Sequence, residues 1–335
     1  MKKIIKKVMP SGVRVWLRFF KNWIEVRVLF YNEGTRFLKV LKPTHQRSIE
    51  RMREKLLLDA HVLEKGIAHV EFKPGSSIRV LRNISENIRN FNELGFDLSD
   101  PVYVNALSVV KAYRSRHNQV HAKLPVEFGK FFDEFEDQIE KVAPSLGGYD
   151  LVDTSTKTNN KAKTYKELVI SRTSIREYSN RPIDLDKLES AISLAQKTPS
   201  ASNRQMIRLR VIEKKELILQ SLKIQGGFGG YKAPPVLLLV TADNNAFMAP
   251  GEAREAYVDG GLYSMSLLNA LEYEQLGAVS LNTMFSEKKA RAMRKLLDIP
   301  DTEVFILFIA VGNVDDKTPY PKSYRVPTNS FVKYY

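Results

Sequence analysis

Apolar positions recur at helical spacing through much of the first half of the chain. Ile49, Met52, Leu56, Leu57 and Ala60 share one face of a predicted helix over 46–65, which Gly66 can end. Ser77–Leu94 and Val102–Tyr113 have the same period, and so does Glu127–Val142, where Phe128, Phe131, Phe132, Phe135 and Ile139 line one side. Residues 46–142 therefore read as mostly helical. Residues 12–42 mix β-branched, aromatic and basic side chains in a pattern that selects neither helix nor strand. From Ala143 to Lys163 the periodicity lapses into Ser, Thr, Asn, Gly and Lys, with little to bury, and a linker is expected.

After Tyr165 the pattern becomes mixed. Leu188, Ile192 and Ala195 predict an amphipathic helix over 185–196, and Leu209–Ile212 reads as a short strand. Pro235–Thr241 and Val304–Val311 are continuous apolar runs, as strands buried on both faces are. Between them lies Ala256–Leu276, apolar nearly all round and so expected at the centre of its domain. Ser286–Leu297 predicts a basic surface helix. The expected fold is α+β: a central mixed sheet flanked by helices, joined to a mainly helical N-terminal module. The boundaries are 1–142 for the module, 143–163 for the linker and 164–335 for the second domain.

With 335 residues, 43% of them hydrophobic, the chain can bury two cores. The absence of cysteine excludes disulfides, thiolate metal sites, iron–sulfur clusters and a cysteine nucleophile. No apolar run approaches the roughly 20 residues that span a bilayer. Arg14 and Arg18 interrupt any signal-peptide core behind Lys2, Lys3, Lys6 and Lys7, so the cytoplasm is the expected compartment. The net charge is +14, and residues 1–50 hold 12 Lys or Arg against 3 Asp or Glu, interleaved with aromatics. That leaves two readings open: a solvated basic face over buried rings, or contact of residues 1–50 with a membrane surface or partner protein, which would make the protein peripheral at the membrane. No zinc-finger or RNA-recognition motif accompanies the charge, and nucleic acid is not an expected partner.

Four clusters carry chemistry. Arg172, Thr173, Ser174 and Arg176 place two guanidiniums and two hydroxyls within five residues, a compact anion site. Ser200, Ser202, Asn203 and Gln205 form a polar loop after a helix, suited to the edge of a heterocycle or simply to ending the helix. Asp259-Gly260-Gly261 sits inside the apolar helix, where each glycine costs about 1 kcal/mol against alanine, so close approach by another element or a ligand is expected. Lys322 and Arg325 lie in Pro321-Lys322-Ser323-Tyr324-Arg325-Val326-Pro327, a basic tail held between prolines. Gly226–Gly230 lacks the Lys-Ser/Thr of a nucleotide loop and is expected to be a mobile loop near the site opening.

In this order, and with Ala233-Pro234-Pro235-Val236 leading to Ala242-Asp243, Leu276-Gly277 and Val311-Gly312, these residues resemble the nitroreductase family over about 165–332. Met206-Ile207 departs from the Pro-Trp often found there. The length of the chain and Leu63-Glu64-Lys65-Gly66 also resemble longer members associated with bacterial surface-polysaccharide gene sets. The resemblance implies a homodimeric FMN oxidoreductase in which NADH or NADPH reduces the flavin and a small-molecule electron acceptor then takes the electrons, in a ping-pong cycle. Arg172, Ser174, Lys322 and Arg325 would meet the phosphate, and Arg176 the pyrimidine edge. Ser200, Ser202, Asn203 and Gln205 would reach the partner subunit's flavin. Ser280 and Leu281 would line the ring's reactive face with backbone. No catalytic acid or base is named, because the cofactor carries the chemistry. The alternative is a non-catalytic interaction protein docking through its N-terminal module. His117 and His121, four apart, are expected at the surface, and neither they nor His61, Glu64, His69 and Glu71 assemble a metal site.

Overall fold

The computed structural model describes residues 10–335; Lys2, Lys3, Lys6 and Lys7 lie outside the described residues. The first element is a 30-residue helix, α1 (Ser11–Val40), none of whose residues is buried. This is the stretch whose pattern selected neither helix nor strand. Aromatic and β-branched residues are mediocre helix formers, and its apolar residues cover far more than one stripe.

Four helices follow as a bundle: α2 (Ile49–Ile67), α3 (Ile78–Glu93), α4 (Pro101–Gln119) and α5 (Gly129–Lys141). Ser48 caps α2 by accepting from Arg51 N, and Asp100 caps α4 by accepting from Val102 N. Their apolar faces close one core around Leu56, Leu63, Ile84, Phe91, Tyr103 and Phe131. Gly66 does not end α2. It lies inside the last turn, at a place where a Cβ would meet Ser77 Oγ at 2.5 Å. His117, expected at the surface, is buried: Nδ1 lies 3.0 Å from Tyr113 O, and Gly75 N donates to Nε2 at 3.1 Å. It is a satisfied core histidine.

The segment expected as a linker is packed rather than loose. It holds a short strand, β1 (Tyr149–Leu151), and several single turns of 3-10 helix. Asn160 within it is fully buried and donates to Glu272 O, so its polar residues pair with the next domain instead of water.

The C-terminal domain opens with α6 (Tyr165–Ser171) and α7 (Leu185–Ala195), and continues with β2 (Ile207–Ile212), α8 (Lys215–Gln225) and β3 (Val236–Asp243). It closes with α9 (Glu255–Tyr273), β4 (Gly277–Asn282), α10 (Glu287–Leu297), β5 (Glu303–Gly312) and β6 (Pro319–Pro321). The sheet order is β2-β3-β5-β4, and every pair of these strands is antiparallel. The expected parallel component reduces to one bridge, Ser174 to Ala278, at the β4 edge. Strand alternation splits β3 between two cores: Val236, Leu238 and Val240 face α7 and α9, while Leu237 and Leu239 face α8 and α10. That double burial is why the run is apolar throughout. β6 pairs with β1, tying the tail back to the segment behind the bundle.

The helix α9 is buried on one side only. Gly260 lies against β5, where a Cβ would meet Ile306 Cγ1 at 2.6 Å, whereas nothing stands within 4 Å of a Cβ at Gly261. Tyr257, Val258, Leu262 and Met265 share that open side and are exposed. Gly226–Gly230 is anchored: Phe228 is buried among the residues of the α8 and α10 core, and Tyr231 just beyond donates to Lys65 O at 3.1 Å and stacks on His69. Among the described residues no helix is long and apolar enough to cross a membrane.

Candidate functional site

Three strips of backbone from the C-terminal domain and two helices of the bundle converge on a cavity of about 390 Å³. The first strip is the segment after α6, a helix started by the reciprocal capping of Thr164 and Glu167. Ile175 N donates to Ala278 O at 3.0 Å, so this segment runs extended beside β4. Alternation then decides the rest: Ile175 is fully buried, while its neighbours Ser174 and Arg176 line the cavity. β4 is the second strip and contributes Val279 and Ser280. The third is the tail, where Ser323 takes a left-handed φ of 53° and Tyr324 and Arg325 follow it into the lining. From the bundle come Leu57, His61 and Glu64 of α2 and Asn105 of α4.

Glu64 is the joint of this assembly. Its carboxylate, 2% exposed, accepts from Gly148 N and from Ser323 N, each at 3.1 Å. It thereby fixes both the connecting segment and the tail to the bundle. Asn105 Nδ2 donates to Leu146 O at 2.7 Å and holds the same segment.

The electrostatics favour an anion. Among the described residues no salt bridge engages Arg172, Arg176 or Arg325. Burial holds the Arg172 guanidinium below its ordinary pKa, Glu272 opposes that, and the charge of Arg325 adds to the depression. Burial likewise lowers Arg176, against the pull of Tyr231, Tyr178 and Glu64. Lys65 is lowered first by burial and then by Arg176. Half-buried cations without a salt-bridged carboxylate mark a place where a negative group would be held. Thr173 Oγ1, next in sequence to Ser174, is buried with no hydrogen-bond partner among the described residues.

Of the residues singled out in the sequence, Ser174, Arg176, Ser280 and Arg325 meet in this cavity, and Arg172 lies near enough to feel the charge of Arg325. Leu281 sends its side chain into the core and has only backbone to offer. Lys322 is committed elsewhere: its Nζ donates to Pro144 O at 3.1 Å and lies 3.5 Å from Asp150. The polar loop lies apart in the single chain. Ser200 and Gln205 line a second cavity of about 250 Å³ with Asp259 and Tyr263. Ser202, Asn203 and Gln205 all have φ near +50°, a left-handed conformation that non-glycine residues seldom adopt three times in one loop. Asp259 explains how it is held: the carboxylate, 3% exposed, accepts from Ala201 N at 2.9 Å. Glu64, His61 and Asn105 were not foreseen as site residues, because nothing in a helical pattern says what another domain brings to it. Leu63-Glu64-Lys65-Gly66 was the one available signal.

Residues 169–227 match the model of the Nitroreductase family, a span that holds both the arginine cluster and the polar loop. The chain is 29% identical over 119 residues to the FMN reductase (NAD(P)H) of Bacillus subtilis, covering 36% of this chain and 45% of that protein, so it spans less than half the relative's length. A second protein of that organism, provisionally named NAD(P)H nitroreductase MhqN, is 25% identical over 51% of this chain and 98% of its own. Among solved structures, a nitroreductase family protein from Clostridium difficile 630 aligns over 51% of this chain and 98% of its own, at 24% identity and a TM-score of 0.44. The ordered motifs and the sequence matches lead to one conclusion: the C-terminal half of this chain is similar to the nitroreductase family, whose model it matches over residues 169–227.

Proposed function

We propose that the chain is a homodimeric, FMN-dependent oxidoreductase that takes electrons from NADH or NADPH and delivers them to a small-molecule acceptor in a ping-pong cycle. The acceptor would belong to surface-polysaccharide metabolism, the setting of the longer family members that the chain resembles. The observation that carries the reading is the convergence of Arg172, Arg176 and Arg325 without a salt-bridged carboxylate, beside an unpartnered buried hydroxyl. That donor set fits a phosphate and an electron-rich ring edge.

Arg172, Ser174 and Arg325 would hold the phosphate, and Thr173 Oγ1 would gain a partner. Arg176 would sit by the pyrimidine edge, where a half-buried cation stabilises developing negative charge more than one in water does. Bound FMN supplies hydride acceptance and donation, which no side chain here can provide. Backbone at Ser280 and Leu281 would line one face of the ring, and Leu57 from α2 would exclude water from the cavity. The open apolar side of α9, with a glycine at 261 that nothing in its own chain requires, supports pairing with a second copy. Such pairing would let Ser200, Ser202, Asn203 and Gln205 serve the partner's site.

The test is the visible absorbance of the purified full-length protein, before and after anaerobic NADH and NADPH. The expected result is two flavin bands that bleach with a donor, and parallel lines in initial-rate plots. A colourless protein that takes up no added FMN would overturn the reading.

A further inference from the structure

The helix α1 carries a surface that neither the flavin-type site nor the bundle uses. At 100° per residue, Trp16, Phe19, Phe20, Trp23, Ile24 and Phe30 fall on one broad arc, and all six are exposed. Trp16 is 72% exposed. Arg14, Arg18, Lys21, Arg36 and Lys39 fall together on the opposite, narrower arc. The body of the protein meets only a third line, marked by the half-buried Asn22, Val26, Leu29 and Glu33. Glu33 pairs there with Arg254 and leaves the aromatic arc outward. Contiguous aromatic surface of this extent is rare on a monomer that has no partner for it.

We propose that α1 is a membrane-surface helix that lays its aromatic arc into the headgroup boundary of an anionic lipid leaflet. Charge decides between the occupants. The helix holds six basic residues against two acidic ones, so self-pairing of α1 would set like charges together, whereas an anionic surface attracts them. Geometry agrees: at about 1.5 Å per residue the helix is a straight strip of roughly 45 Å, suited to a plane. It lies on the leaflet rather than crossing it, as its basic residues recur along the whole length. Arg27 stands within the aromatic arc but folds over Trp23, 3.6 Å from the ring centroid, where its charge can reach the headgroups.

The experiment is co-sedimentation of the full-length protein with phosphatidylcholine vesicles, with and without phosphatidylglycerol, at low and high salt. Binding is expected only with phosphatidylglycerol and is weakened at least about tenfold by high salt. Phe20→Ser with Trp23→Ser, and separately Arg14→Glu with Arg18→Glu, are each expected to weaken it at least about tenfold. All four positions are exposed, and the solution mass by ultracentrifugation without lipid is expected to be unchanged. Absence of binding, equal binding to phosphatidylcholine alone, or binding indifferent to both variants would overturn the proposal. So would a loss of solution mass in the Phe20 and Trp23 variant, which would assign the aromatic arc to a second copy.

Discussion

The bundle and the sheet domain solve the same problem in different ways. The bundle has one core, closed by helices that are neighbours in sequence, and its polar residues are mostly surface or caps. The sheet domain has two cores, one on each face of a single sheet, and strands that pair across long stretches of chain. Neither core by itself builds the candidate site. The cavity forms where the two domains meet, and the residues that hold it together, Glu64 above all, contribute almost nothing to either core. Cores are therefore legible within a domain, while a site at a seam needs both domains in place.

The largest effects should separate the two cores. Phe91→Ala in the bundle and Phe308→Ala in the sheet domain each remove a fully buried ring, with an expected loss of about 3–5 kcal/mol. Scanning calorimetry is expected to show each variant lowering its own domain's transition more than the other's; a single transition moved equally by both would merge the two regions into one cooperative unit. Trp16→Ser, by contrast, should change stability by no more than about 0.5 kcal/mol, since the ring is exposed.

Next comes the seam. Glu64→Ala strips the acceptor from Gly148 N and Ser323 N, and each buried amide left unpaired costs about 1–3 kcal/mol. The tail that carries Arg325 is then loosened, so under the proposed function FMN affinity, read by fluorescence titration, is expected to fall with it. Affinity unchanged in a destabilised variant would confine Glu64 to a structural role.

The smallest effect distinguishes the regions by sign. In the bundle, burial raises the pKa of Asp59 above the ordinary 3.8, outweighing bonds from Asn87 and Asn83. In the sheet domain, burial also works to raise Glu303, but hydrogen bonds from Arg210 and Thr241 overcome it and hold the carboxyl below 4.5. A raised carboxyl contributes stability present in acid and lost as pH rises through its folded value; a depressed one contributes stability present above 4.5 and lost as pH falls through its folded value. Urea unfolding from pH 3 to 7 (about the window these shifts define) should show Asp59→Asn and Glu303→Gln altering the acid slope in opposite directions. Slopes altered alike would contradict the assignment.

Much of the sheet domain was readable from pattern. Val236–Asp243 and Glu303–Gly312 declare themselves as strands because a two-sided core demands an unbroken apolar run, and α10 declares itself by a charged face. β4 was not readable as a strand, since Gly277–Asn282 is short and gains its meaning from pairing with β5. The segment 143–163 misled for the opposite reason: its polar residues have partners, but those partners, such as Glu272, lie more than a hundred residues away. Of the residues that line the cavity, Ser174 and Arg176 stand out in the sequence because two guanidiniums and two hydroxyls so close together are chemically distinctive. The partners of Lys322 are not legible there, because a lysine next to an anion site and a lysine paired with Asp150 look the same in one dimension.

By itself the sequence determined the local terms: helical periods in the bundle, buried strands, the caps, the excess of positive charge, and the ordered motifs that resemble the nitroreductase family. These depend on neighbours within a few residues along the chain, so one dimension suffices. Tertiary structure alone decided which charges stay unpaired, that Glu64 holds the tail and Asp259 the polar loop, that Gly260 is packed while Gly261 is open, and that the aromatics of α1 face outward while those of α5 are buried. Those outcomes depend on what arrives from distant parts of the chain, and burial, pairing and desolvation are properties of that arrival rather than of the residue.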